Sequence, residues 1–315
     1  MGLILSLTSE MFPGKPRYAE ADTPDLTGKV TIVTGGNSGV GKVTARALLA
    51  HNAKVYIAGR DQSKVQAAIE ELKAATGKDS VFFLKLDLAD LNSVKAAAEA
   101  FCEKESQLHF LFNNAGVMET RMDRFTAQGY DLHFGVHVLG HYYFTELLLP
   151  ILSATAKASP PGAVRIVNTT SIIFWTAKIN FATFKDGPAR SKVHPVFLYG
   201  QSKLGVAVYS IEFARRYADK GIVTSVINPG NLTTGIQRNL TGLQAKGVAL
   251  LGYNVDTYGA ISPLFAGVSP EGAKLHGKYI FAWARVGDGR ALIRDPQLGR
   301  DLWTWLEEQV AQAGL

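Results

Sequence analysis

Tyr199-Gly200-Gln201-Ser202-Lys203 sets a phenol and an ammonium four residues apart, a spacing that brings both onto one face if the segment is helical. Proton transfer near neutral pH is hard for a phenol of pKa about 10, and a neighbouring lysine cation favours the phenolate and lowers that value. Tyr199 would then act as a general acid or base. Tyr and Lys share this spacing in many ordinary helices, so the pair acquires chemical meaning only from what lies around it.

A second stretch, Thr31-Ile32-Val33-Thr34-Gly35-Gly36-Asn37-Ser38-Gly39-Val40-Gly41, can hold an anionic partner. Val30, Ile32 and Val33 suit a buried strand, and apolar residues recur at helical spacing from Val40 to Leu49, so the glycines occupy a strand-to-helix turn. A turn without side chains lets backbone N–H groups approach a pyrophosphate, and the positive end of the helix dipole favours its charge. Gly35, Asn37, Ser38, Gly39, Val40 and Gly41 are therefore candidate cofactor contacts, with Ser38 as a hydroxyl donor or helix cap. Close helix packing explains a triple-glycine turn equally well, and G-x-x-x-G-x-G differs from the common G-x-G-x-x-G fingerprint.

The strand Lys54–Ala58 ends in Gly59-Arg60, where a site preferring NAD(H) would place a carboxylate against the ribose 2′-hydroxyl. Gly59 leaves room there and Arg60 can pair with a 2′-phosphate, which favours NADP(H). A surface arginine opening a helix beside Asp61 is the plainer reading of the same residues.

These segments sit in a chain of 315 residues with ample hydrophobic content for a packed core. Short Val/Ile/Leu/Phe runs at 30–34, 54–58, 80–86, 108–113, 163–169, 222–227 and 277–281 alternate with helical patterns at 40–51, 62–75, 91–105, about 124–155, 197–219 and 297–312. That alternation predicts an α/β fold, a single Rossmann-type doubly wound parallel sheet with helices on both faces. Residues 1–27, with Pro13, Pro16 and Pro24, read as an extended arm, and 28–315 as one domain. Two long connections, 172–196 and 231–275, are expected to form substrate loops; the first is rich in aromatic residues, which points to an apolar pocket.

The net charge of +6 is scattered rather than blocked, with no zinc-finger or helix-turn-helix spacing, which argues against nucleic acid as a partner. Cys102 is the only cysteine, so an internal disulfide and a thiolate metal cluster are excluded, a cytoplasmic setting fits, and Cys102 is expected in the core. No apolar run reaches the roughly 18 residues of a membrane span. Met1-Gly2-Leu3-Ile4-Leu5-Ser6 fits the loose acylation pattern M-G-x-x-x-S, which would place the enzyme at a membrane surface if Gly2 is acylated.

In order along the chain, the glycine turn, Asp87-Leu88, Asn113-Asn114-Ala115-Gly116, Ser171, Tyr199-x-x-x-Lys203 and Pro229-Gly230-Asn231-Leu232-Thr233-Thr234 resemble the motifs of the short-chain dehydrogenase/reductase family over about residues 28–235. Gly140-His141, the long segment between Ser171 and Tyr199, and Pro229-Gly230-Asn231-Leu232 are most similar to retinol-dehydrogenase-like and related fungal members. The resemblance implies an oxidoreductase that interconverts a carbonyl and an alcohol on a small, mostly apolar molecule. It implies cofactor contacts at Asp87, Leu88, Asn114, Ala115, Gly116, Tyr199, Lys203, Pro229, Gly230 and Thr234, with Ser171 holding the substrate oxygen beside Tyr199. Lys203 would orient the nicotinamide ribose and lower the Tyr199 pKa.

One position departs from the family pattern: His137 stands where the family has an asparagine that bends its helix and helps hold a water in a proton relay. A histidine there could preserve the water, shuttle protons itself or slow the reaction, so His137 joins the candidate catalytic residues. It is also the sole support for a competing reading, an NADP(H)-binding sensor with lost turnover. His133, His137 and His141 recur at every fourth position, but along one helical stripe they cannot converge on one ion, and no metal is expected. Tyr142, Phe144, Val208 and Phe213 leave open either a homodimer through their helices or burial within one chain.

Overall fold

The computed structural model describes residues 8–118, 121–235 and 252–314. Val30–Thr34 (β1) is buried at all five positions, as a strand covered on both faces must be. It pairs in parallel with Lys54–Gly59 (β2) on one side and Phe110–Asn113 (β4) on the other. Val81–Lys85 (β3), Val164–Thr169 (β5) and Ile222–Ile227 (β6) extend the sheet, a short parallel pair of Leu232–Thr233 (β7) with Tyr253–Asn254 (β8) stands apart, and Lys278–Phe281 (β9) and Arg285–Gly287 (β10) close one edge. The order is β10-β9-β6-β5-β4-β1-β2-β3, parallel throughout except for β10 against β9. The order in which strands join the sheet reverses between β1 and β4, and there a parallel sheet opens a crevice at the carboxyl ends of its strands.

Alternate strand residues feed two cores. Ile32, Leu111 and Ile166 pack with Leu91–Cys102 (α3), His141–Lys157 (α4), Pro195–Arg216 (α5) and Pro296–Gln312 (α7); Val33, Phe112 and Val167 pack with Gly39–Ala50 (α1), Gln62–Thr76 (α2) and Ile261–Val268 (α6). Each large apolar side chain so covered contributes roughly 1.5–3 kcal/mol relative to exposure.

Four local expectations change. The helix expected from about 124 begins only at Leu132, because Gly129 turns the chain at φ +79° and the Asp131 carboxylate caps the amide of Phe134. Residues Gly135–Gly140 then form a π-helix that leads into α4. Cys102 is exposed at the end of α3: the buried positions Val94, Ala97, Ala98 and Phe101 define that helix's inner face, and Cys102 lies off it.

Within the connection expected over 231–275, α6 is buried at every position and belongs to the core. Gly267 lies so close to Phe112 that a Cβ there would fall 2.3 Å from the ring. The arm is also less extended than expected, since Glu10, Tyr18 and Leu26 are buried. Residues 236–251 and Gly2, with its acylation pattern, lie outside the described residues.

Tyr142, Phe144, Val208 and Phe213 are buried within the single chain, and Trp303 of α7 packs edge-on against Tyr142 at 5.1 Å. Among the described residues, no helix is long and apolar enough to cross a membrane.

Candidate active site

A crevice of about 490 Å³ opens at the carboxyl ends of the strands. Its floor at one end is the turn between β1 and α1, where Gly35 and Gly39 hold φ of +66° and +52°, a region that favours glycine. Ser38 precedes α1 without a side-chain capping bond. The first-turn amides, which no helix can satisfy internally, therefore remain available beside Gly39 and Val40 on the crevice wall. Gly41 lies behind that wall: a Cβ there would come within 2.5 Å of both Asn114 Nδ2 and the Gly35 carbonyl oxygen.

The loop Asn114-Ala115-Gly116 is tied to this turn. The Thr34 hydroxyl accepts from the amides of Asn114 and Ala115, each at 2.9 Å, and lies 2.9 Å from His141 Nε2. His141 Nδ1 faces the His137 carbonyl oxygen at 3.1 Å, so its proton sits on Nδ1, and Nε2 accepts a hydrogen bond from the Thr34 hydroxyl. Burial holds the His141 pKa down to about 3, which keeps this ring neutral.

Beside the glycine turn, Gly59, Arg60, Lys64, Asp87 and Leu88 also line the crevice. The Asp61 carboxylate is engaged as the cap of α2, accepting from the Ser63 hydroxyl at 2.7 Å and the Lys64 amide at 3.1 Å. The Asp87 carboxylate accepts from the Ala89 amide at 3.0 Å.

Ser171, Tyr199 and Lys203 meet at the other end. Tyr199 and Lys203 lie one turn apart on α5, which is buried along most of its length, and Ser171 lies just beyond β5. The Ser171 side chain lies close enough to the Tyr199 hydroxyl to favour its ionised form. Lys203 Nζ donates to the Thr169 carbonyl oxygen at 3.1 Å and stands 5.9 Å from the centre of the Tyr199 ring.

Burial pushes Tyr199 up to about 12, offset in part by Ser171, and pushes Lys203 down to about 7. Desolvation dominates and Ser171 supplies the opposing effect, so the lowering of Tyr199 expected from Lys203 is not found in the protein alone. Val117, Met118, Ile172, Ile173 and Val196 give this end an apolar wall.

Pro229, Gly230 and Thr234 line the crevice too. Gly230, at φ +99°, gives its amide to Asn228 Oδ1 at 3.1 Å, and Thr234 faces the glycine turn, 3.5 Å from where a Gly39 Cβ would stand.

His137 does not line the crevice. It is buried inside the π-helix, where Nε2 accepts the Val117 amide at 2.8 Å and Nδ1 donates to the Ser202 hydroxyl at 2.7 Å. Ser202 in turn donates to the Tyr199 carbonyl oxygen at 2.7 Å. Burial and the nearby Lys203 charge hold the His137 pKa well below its ordinary value, so both ring nitrogens are committed in the neutral form. Local sequence pattern assigns no role to Thr34, Lys64 or Met118, and His141 enters it only through the Gly140-His141 resemblance and the helix-face spacing.

Residues 29–185 match the model of the family described as short chain dehydrogenase. A short-chain dehydrogenase/reductase of Armillaria gallica is 50% identical over 309 residues, covering 98% of this chain and 99% of its own. Among solved structures, an uncharacterized protein from Mycobacterium paratuberculosis superposes with a TM-score of 0.69 at 28% identity, over 94% of this chain and 97% of that one. The NADP active-site complex of RhlG from Pseudomonas aeruginosa is similar in fold, with a TM-score of 0.64 at 24% identity over 82% of this chain and 95% of its own.

Proposed function

The chain belongs to the short-chain dehydrogenase/reductase family of oxidoreductases, and on that premise we propose that it interconverts a carbonyl and an alcohol on a mostly apolar small molecule with NADP(H). The observation that carries this reading is the convergence of Ser171, Tyr199 and Lys203 beside an apolar wall, in the same crevice as the glycine turn.

The residues fit a dinucleotide. The uncapped first turn of α1 supplies amides for a pyrophosphate, and Gly41 permits a contact that any Cβ would block. Arg60 brings positive charge to the wall at the end of β2, while the two carboxylates that line it are engaged, Asp61 in capping α2 and pairing with Lys64 at 3.1 Å and Asp87 in accepting the Ala89 amide. This favours a 2′-phosphate over a bare ribose hydroxyl.

When bound, NADPH supplies the hydride in reduction and NADP⁺ accepts it in oxidation. Tyr199, held protonated by burial, gives its proton to the carbonyl oxygen in reduction and recovers one from the alcohol in reverse. Ser171 donates a hydrogen bond to the same oxygen and polarises it. Lys203, when protonated, favours the phenolate left behind. His137 acts as a brace rather than a proton carrier, joining the loop at Val117 to the helix that bears Tyr199.

NADPH consumption with a panel of aldehydes, ketones and quinones tests the reading, with Tyr199→Phe as control. Turnover that falls by roughly 100-fold or more in the variant, with NADPH binding retained, supports it. Wild type and variant equally inactive across the panel, while NADPH still binds, would instead favour a nucleotide sensor.

A further inference from the structure

Glu10 lies 165 or more positions from each of the three side chains it touches, yet it is only 3% exposed. Its Oε1 accepts from the Trp175 indole at 2.9 Å, and its Oε2 accepts from Asn228 Nδ2 at 2.8 Å and from the Tyr279 hydroxyl at 2.7 Å. Burying a carboxylate among neutral donors is costly unless they are held in place for it. Arg285, whose charge favours the Glu10 carboxylate, spends a hydrogen bond on the carbonyl oxygen of Ser9.

The three partners belong to different parts of the crevice. Trp175 sits in the 3-10 turn Ile172–Thr176, which starts directly after Ser171 and gives Ile172 and Ile173 to the apolar wall. Asn228 directly follows β6, lines the crevice, and fixes the amide of Gly230 through its Oδ1. Tyr279 anchors the set on β9.

We propose that Glu10 is a positioning residue that clamps the Ser171–Thr176 segment and the Asn228–Gly230 segment to each other, so that the N-terminal arm forms part of the active-site scaffold. Its kinetic consequence rests on the oxidoreductase reading; its structural consequence does not.

Glu10→Gln keeps the side-chain volume but replaces one acceptor oxygen with an NH₂ group. Turned toward Trp175 that group meets an N–H, and turned toward Asn228 it meets an NH₂ whose orientation Gly230 fixes. Either way two donors face each other.

Amide hydrogen exchange read by mass spectrometry on the full chain is the test. In Glu10→Gln, exchange over 172–176 and 228–230 should rise by about tenfold or more while 35–41 stays unchanged. NADPH affinity should hold within about threefold, and kcat/KM on the best carbonyl of the panel should fall by roughly 10–100-fold. Trp175→Phe, which removes one donor and keeps the ring, should loosen 172–176 but not 228–230. That variant decides the matter if Glu10→Gln does not fold.

Unchanged exchange in both segments would overturn the clamp, as would a uniform rise across the whole chain, which marks lost global stability alone. A wild type without turnover leaves the exchange result decisive, so failure of the clamp and failure of the oxidoreductase reading are distinguishable.

Discussion

His137 offers the sharpest contest between two roles, and its surroundings allow the outcome to be worked through. In His137→Ala the Val117 amide and the Ser202 hydroxyl lose their partner at 2.8 and 2.7 Å. A buried donor left without an acceptor costs about 1–3 kcal/mol, and the space left by an imidazole adds roughly 2 kcal/mol. The expected loss of unfolding free energy is therefore about 3–5 kcal/mol. His137→Asn, which can keep one of the two bonds, should lose about 1–2 kcal/mol.

Chemical denaturation measures both losses, and pH-rate profiles decide the role. Because the ring is held neutral, the limbs of the wild-type profile should keep their positions in His137→Asn, with kcat reduced by less than about tenfold. A proton carrier would behave otherwise: a limb between about pH 5.5 and 7 that vanishes in the variant, with kcat down by 10²–10⁴ and stability unchanged. That result would refute the brace. Histidine-labelled NMR provides an independent reading, since the His137 resonances should keep the neutral Nδ1–H pattern across that range.

Arg60→Asp should raise the KM for NADPH by roughly 10–150-fold and change that for NADH by less than about threefold, the scale of one charge-assisted phosphate pair at an exposed site; steady-state kinetics with both cofactors checks this. Gly41→Ala forces a Cβ to within 2.5 Å of the Gly35 carbonyl oxygen, so calorimetric titration should show NADPH binding weakened by about 30-fold or more, with roughly 1–3 kcal/mol of lost stability. For Lys203, the folded pKa of about 7 lies below the ordinary 10.5, so between those values the unfolded chain binds the extra proton and stability rises with pH. Lys203→Met should accordingly stabilise the cofactor-free protein by roughly 2–4 kcal/mol near pH 6 and much less near pH 10, measured by denaturant titration at each pH. Trp303→Ala should uncover Tyr142 and Phe213 at a cost of about 3–5 kcal/mol, and light scattering should show association in the variant that the wild type lacks through this face.

The sheet was readable because its strands are continuous apolar runs separated by amphipathic helices, and each expected strand is found within two residues of its expected ends. The crevice was readable wherever backbone chemistry restricts residue type, as at Gly35 and Gly39 with their positive φ. Three features were not. α6 spans only Ile261–Val268, too short a run for its period to separate a helix from a strand or loop. His137 and Thr34 act through bonds across 20 to 107 positions, which local pattern does not encode. Glu10 gives no local signal, since a lone carboxylate carries no mark of the three distant donors that bury it.

The encasement of α5 divides the molecule's evolutionary prospects unequally. Tyr199 and Lys203 ride on a helix whose neighbours leave almost no position free to vary, so drift there meets immediate steric penalty. The apolar wall, by contrast, comes from Val117, Met118, Ile172, Ile173 and Val196, at the margins of their elements. Lineages descended from this scaffold can therefore change appetite for substrate by retouching that margin, while the proton-handling machinery passes down intact.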